Sequence, residues 1–154
     1  FAPSVLAEDV DKYFRLDSSS PYMLLVADVL PELRRASGVE ERGLFGIEKL
    51  NVVRSSIPAV THIDYSARIQ TVHEETNPRF YALLRSFRDL TGSSVLVNTS
   101  FNIRGEPIVE SPTDAFRCFM GTELDMLVVE NCILCKADQD PSLAEDYRNR
   151  YELD

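Results

Sequence analysis

The chain has 154 residues, 44% of them hydrophobic, which suits one globular domain with a core of its own rather than a fibrous or disordered segment. Twenty-five acidic residues against 16 basic ones give a net charge of −9, which excludes the diffuse positive field that draws nucleic acid or anionic lipid. The apolar runs, such as 126–129, fall far short of the ~20 residues a membrane helix needs, and no charged-then-apolar leader opens the sequence, so a cytoplasmic protein with neither nucleic-acid nor membrane partner is expected.

The opening Phe1-Ala-Pro-Ser reads as the interior of a longer chain. Residues 9–14 form a short amphipathic stretch, taken as a helix. Ser18-Ser19-Ser20-Pro21 then breaks the chain before an apolar strand over 22–29. Residues 30–56 mix charge with Gly38, Gly43 and Gly46 without a sustained period and predict a partly helical excursion or loop. Two short strands, 59–63 and 68–72, are expected around the polar turn Asp64-Tyr65-Ser66.

Asn77 as cap and Pro78 at the first position open a helix that sets Phe80, Leu83, Leu84, Phe87 and Leu90 on one face and ends at Gly92. A buried strand over 94–97 delivers the polar loop Asn98-Thr99-Ser100-Phe101-Asn102 at its C-terminal end. Ser111 and Pro112 open a second helix, which buries Ala115, Phe116 and Phe119 and stops at Gly121. Strands over 125–129 and 132–136 close the domain, and residues 137–154 read as an acidic, solvated tail. Helices alternating with apolar strands predict an α/β or α+β sheet domain, in which ligands gather at the C-terminal ends of strands.

Three cysteines without an export signal argue for reduced thiols. Cys132 and Cys135, three apart in a strand, point to opposite faces, so core packing is expected rather than chelation or a disulfide. The sequence holds no GxxxxGK[ST], no GxGxxG opening a helix, no HExxH and no nucleophile elbow.

Two runs could carry chemistry. In the first, residues 98–107, hydroxyls, carboxamides and backbone amides could line an anion site, with Arg104 clamping a phosphate or carboxylate beside the conformationally free Gly105. On composition alone the same run also suits an ordinary strand-to-loop turn. In the second, residues 61–70, alternation sets Arg68 and Gln70 on one strand face, where they could bind an anionic group. His62 and Asp64 supply only two metal ligands, and His73 stands at no useful spacing, so a hydrogen-bonded histidine is expected and no metal site.

Four blocks taken together, 1–6, 58–72, 98–108 and 111–115, resemble the C-terminal region of the NodU/CmcH-type carbamoyltransferase family. They follow the family's order, and the run from Asn98 to Glu106 is its most specific part. The resemblance implies a single YrdC-like domain over 1–136, a twisted mixed sheet with packed helices. In the family it makes carbamoyl-adenylate and pyrophosphate from carbamoyl phosphate and ATP carrying Mg²⁺. An N-terminal domain of actin-like fold then passes the carbamoyl group to a hydroxyl of a small molecule or sugar. Ser100 and Asn102 match the family's serine-x-asparagine pair. Arg68 and Arg104 are implied to hold phosphate or carbamoyl oxygens, with Thr61, His62, Gln70, Asn98, Thr99 and Gly105 lining the substrate and nucleotide. The family's lysine-x-arginine pair has no counterpart here, its expected place being just upstream of Phe1, so a docking module inactive without its partner domain is the alternative. Tyr65-Ser66 stands where the family usually has glycine-threonine.

Overall fold

A computed structural model describes residues 1–35, 45 and 52–144. The fold is mixed α/β, and the chain divides into two compact units, Phe1–Thr99 and Ser100–Asp154. In the first, strands β1 (Ala2–Leu6), β2 (Leu25–Asp28), β3 (Ser66–Val72) and β4 (Val95–Asn98) form a mixed sheet in the order β2-β3-β1-β4. β1 runs parallel to β3 and antiparallel to β4, while β2 is antiparallel to β3. Helix α1 (Pro78–Thr91) completes this unit. In the second, helix α2 (Pro112–Gly121) packs on a hairpin of β5 (Met126–Val129) and β6 (Cys132–Cys135).

β1 is not apparent from the sequence, because Pro3 lacks the N–H an interior strand needs. Pro3 lies in the ladder with β4, opposite Val97, but the pairing with β3 begins only at Ser4, opposite Gln70, so on that side Pro3 precedes the stretch where a donor is required. The helix expected over 9–14 is instead a 3-10 turn, Ala7–Lys12, and the strand expected over 22–29 shortens to β2. Met23, at φ 58, turns the chain ahead of β2. The strand expected over 59–63 is absent: Pro58–Val60 is a 3-10 turn. Here proline fixes φ, and Thr61 turns its hydroxyl back to the Ile57 carbonyl at 2.9 Å, giving the backbone a local partner in place of a ladder. Within 30–56 the described residues show a 3-10 turn at Pro31–Leu33 and a bridge from Arg34 to Ser55; the rest of that expectation lies outside the described residues. The acidic tail opens with 3-10 turns at Lys136–Asp138 and Pro141–Leu143, and its part beyond 144 is likewise outside them.

Both helices start where their caps require. Asn77 accepts from the Phe80 amide, Ser111 accepts from the Asp114 amide, and each is followed by proline. α1 ends on Gly92 at φ 77, the left-handed conformation that glycine adopts freely. Its apolar face is narrower than the sequence suggests. Leu84 is fully buried against Leu6 and Val72, with Phe80 and Tyr81 beside it, whereas Leu83 is 56% and Leu90 86% exposed. On the other side of the sheet Val5, Phe14, Val29, Ala67 and Ile69 form the main core, where each large side chain contributes roughly 1.5–3 kcal/mol. In α2, Ala115 and Phe119 are buried as expected together with Cys118 and Met120, and Phe116 only in part. Cys132 is exposed and Cys135 half-buried, so neither is the core residue expected.

Candidate functional site

β3 carries Arg68 and Gln70 on one face, two residues apart, as its alternation requires. The register of the mixed sheet brings two more polar residues to that face: Ser4 lies opposite Gln70, and Asn98 lies opposite Ala2. The fully buried Ser4 hydroxyl donates to Gln70 Oε1 at 2.7 Å, and Asn98 Nδ2 reaches both Ser4 Oγ at 3.1 Å and Gln70 Oε1 at 2.9 Å. Gln70 Nε2 donates to the Pro21 carbonyl at 3.1 Å. Gln70 also lines a hollow of about 260 Å³ with Tyr22, His73, Thr76 and Asn77. Arg68 is exposed on the same face. Ser4 is the member sequence reasoning missed. A serine in an apolar run shows no signal until the strand's partners are known.

Ahead of β3 the chain makes a tight turn closed by the Tyr65 amide on the His62 carbonyl. Tyr65 sits at φ 64, a left-handed conformation costly for a residue with a Cβ. Asp64 accepts from the Ser66 amide at 3.0 Å and from its hydroxyl at 2.7 Å, and these bonds hold the Asp64 carboxyl below the usual carboxylate range. His62 Nδ1 meets the same hydroxyl at 2.9 Å. Thr61 is buried and bonded to Ser55 and Ile57, so its hydroxyl points inward.

The run 98–102 crosses from one unit to the other between Thr99 and Ser100, both exposed. In the second unit, residues 103–106 form a turn closed by the Glu106 amide on the Ile103 carbonyl at 3.1 Å, with Gly105 at φ 81. Arg104 is exposed at its tip, and the Glu106 carboxylate accepts from the Ile103 amide at 3.0 Å. Asn102 braces this turn, its Nδ2 donating to the carbonyls of Ile103 at 2.8 Å and Glu106 at 3.2 Å. Both partners can only accept, so they fix which way the amide points. Its other end, Oδ1, is the one buried side-chain polar atom without a hydrogen-bond partner among the described residues. A buried acceptor left in this way costs about 1–3 kcal/mol unless a ligand or an ordered water meets it.

The structure thus brings Arg68, Gln70 and Asn98 to one sheet face, ties His62 to the turn ahead of β3, and gathers Asn102, Arg104 and Gly105 in a turn of the second unit. Arg88 of α1 is engaged with Asp9 and Glu8. Among the described residues no three His, Cys, Asp or Glu side chains gather as metal ligands, and no helix is long and apolar enough to cross a membrane.

Comparison with known sequences defines the class. The family model described as Carbamoyltransferase C-terminus matches residues 1–136, and the chain belongs to that family. It is 62% identical over its whole length to the uncharacterized protein sll1178 of Synechocystis, of which it covers 25%. It is 38% identical over 92% of its length to the nodulation protein NolNO of Sinorhizobium fredii, covering 18% of that protein. Against the 3'-hydroxymethylcephem-O-carbamoyltransferase of Amycolatopsis lactamdurans it is 36% identical over 73% of its length, covering 18% of that enzyme. The chain therefore spans a quarter or less of the length of these relatives.

Proposed function

We propose that this chain is the YrdC-like, carbamoyl-activating part of an O-carbamoyltransferase. The reading is carried by the unmet Oδ1 of Asn102, held in place inside a family-defining run that also supplies Ser100 and Arg104. A buried acceptor suits the N–H groups of a carbamoyl ligand. In the proposed reaction water cleaves carbamoyl phosphate to carbamate and phosphate. A carbamate oxygen then attacks the α-phosphorus of ATP, the bond from that phosphorus to the bridging oxygen breaks, and pyrophosphate leaves. Such a step needs positioning and charge neutralisation rather than a protein nucleophile. Arg68 and Arg104 would neutralise phosphate oxygens, and Ser100 and Thr99 would donate to them. Gln70, Asn98 and His62 would orient the substrates. Mg²⁺ would enter on the ATP phosphates and offset their charge.

The carbamoyl group would then pass to a hydroxyl in an N-terminal domain of actin-like fold, the acceptor oxygen bonding to the carbonyl carbon as AMP departs and the hydroxyl loses its proton. Of the two acceptor classes, a small molecule or a sugar, the relative named for acting on a hydroxymethylcephem favours the first. The chain's small share of its relatives' length favours a second reading for the chain alone, a nucleotide-binding module that turns nothing over without that partner.

The test is carbamoyl-phosphate-dependent ATP–pyrophosphate exchange by the full-length protein. Ser100→Ala and Arg68→Ala are each expected to lower it tenfold or more, and wild-type exchange in both variants would remove these residues from the site. Turnover by the 154-residue chain alone would exclude the module reading.

A further inference from the structure

The polar network on the sheet face has a determined direction. The Pro21 carbonyl can only accept, so the atom of Gln70 facing it at 3.1 Å is the amide nitrogen. Gln70 therefore turns Oε1 toward Ser4 and Asn98. Oε1 also can only accept, so Asn98 must face it with Nδ2, at 2.9 Å, and its own Oδ1 is turned away from the network. Ser4 closes the triangle by donating to Oε1 at 2.7 Å and accepting from Nδ2 at 3.1 Å. Those three distances subtend roughly 50° at Nδ2, far less than the ~120° between the two hydrogens of a planar amide, so one Asn98 N–H aimed between the two acceptors can serve both and free the other. Asn98 is left with Oδ1 and one N–H, an acceptor beside a donor on one carboxamide.

We propose that Ser4 is a positioning residue whose hydroxyl locks Asn98, through Gln70, so that the Asn98 carboxamide reads a ligand edge carrying an N–H donor beside an acceptor. Two groups of the proposed substrates have that edge: the carbamoyl group, with its NH₂ next to a carbonyl, and the aminopurine ring of adenine, for which asparagine is a geometric complement. Sites built to bond an N–H discriminate strongly against analogues that lack it, because the fixed protein group is then left unpaired. The fully buried Ser4 touches no ligand itself, and its effect is expected in selectivity before stability. This assignment rests on the proposed function only for the identity of the ligand.

The experiment measures two selectivity ratios in the full-length protein: carbamoyl phosphate against acetyl phosphate, which carries a methyl in place of the amino group, and binding of AMP against IMP, which lacks the 6-amino group. Ser4→Ala, with unchanged circular dichroism, is expected to lower one ratio tenfold or more. Loss in the first arm identifies a carbamoyl edge, and loss in the second an adenine edge. Asn98→Asp, which removes the N–H donors, is expected to collapse the same ratio, and combining it with Ser4→Ala to add little further. Both ratios unchanged in Ser4→Ala would overturn the proposal. If the wild type shows no carbamoyl-phosphate-dependent exchange, the proposed reaction fails, while the AMP and IMP arm still decides the edge; equal affinity for the two nucleotides then overturns the positioning role as well.

Discussion

Arg88 of α1 reaches the carboxylate of Asp9 at 3.1 Å, joining the helix to the 3-10 turn that follows β1. Asp9 is 2% exposed and accepts also from Lys12 at 2.5 Å and from the Ser94 hydroxyl. Burial alone would raise its pKa, but the bonds from Lys12, Ser94 and Arg88 outweigh it and lower the value from 3.8 to about 2. A carboxylate whose folded pKa lies below its unfolded one stabilises the fold above the unfolded value, and that stabilisation disappears as pH falls through the folded value. The Asp9 contribution, about 2 kcal/mol, should therefore be present above pH ~4 and fade between about 4 and 2. Urea unfolding of the wild type and Asp9→Asn across that window should give a shallower acid loss in the variant. Equal slopes would rule Asp9 out as its source.

The narrow apolar face of α1 separates neighbouring leucines. Leu84→Ala should cost about 2–5 kcal/mol, since the side chain fills the space between Leu6 and Val72. Leu83→Ala and Leu90→Ala should each stay within about 0.5 kcal/mol of wild type. Denaturation midpoints of the three variants check the assignment, and similar losses in all three would restore the broad face the sequence suggests.

Gly92 closes α1 in a conformation that disfavours a Cβ, yet a Cβ added there would meet no atom within 4 Å. Gly92→Ala should lose about 1 kcal/mol through backbone strain alone, and Gly92→Asn less, because asparagine tolerates the left-handed region. Chemical denaturation of both variants should reproduce that order.

Lys136 acts as a C-terminal anchor for α2. Its ammonium donates to the Phe119 carbonyl and, at 2.9 Å, to the Thr122 carbonyl, and it lies 4.2 Å from the centroid of the Phe119 ring. Lys136→Met keeps the aliphatic stem and removes the charge, and should cost about 1–2 kcal/mol. Thermal unfolding measures it, and a loss no larger than that of an exposed lysine elsewhere would remove the anchoring role.

Features governed by neighbours in sequence were legible before the structure. Asn77-Pro78 and Ser111-Pro112 mark both helix starts because caps act within three residues, and strand alternation alone pairs Arg68 with Gln70. What escaped depends on distant partners. β1 is hidden by Pro3, whose missing donor is harmless only because pairing with β3 starts one residue later. The inward turn of Thr61 depends on Ser55 and Ile57, and the exposure of Leu83 and Leu90 on how little of α1 the sheet covers. The sequence could mark Asn98 and Gln70 as polar; only register brings in Ser4.

The placement of β1 in the middle of the sheet also orders events during synthesis. Ser4 is 66 residues from Gln70 and 94 from Asn98, its partners on either side. At roughly 5–20 residues per second a ribosome takes several seconds to deliver the first of them. Until then a strand made of Ala2, Pro3, Ser4, Val5 and Leu6 waits with both edges bare, and its proline serves as a guard against pairing with the wrong neighbour. Within this sheet β1 precedes both of its partners in the chain, and the polar triangle built on Ser4 cannot close until β4 arrives.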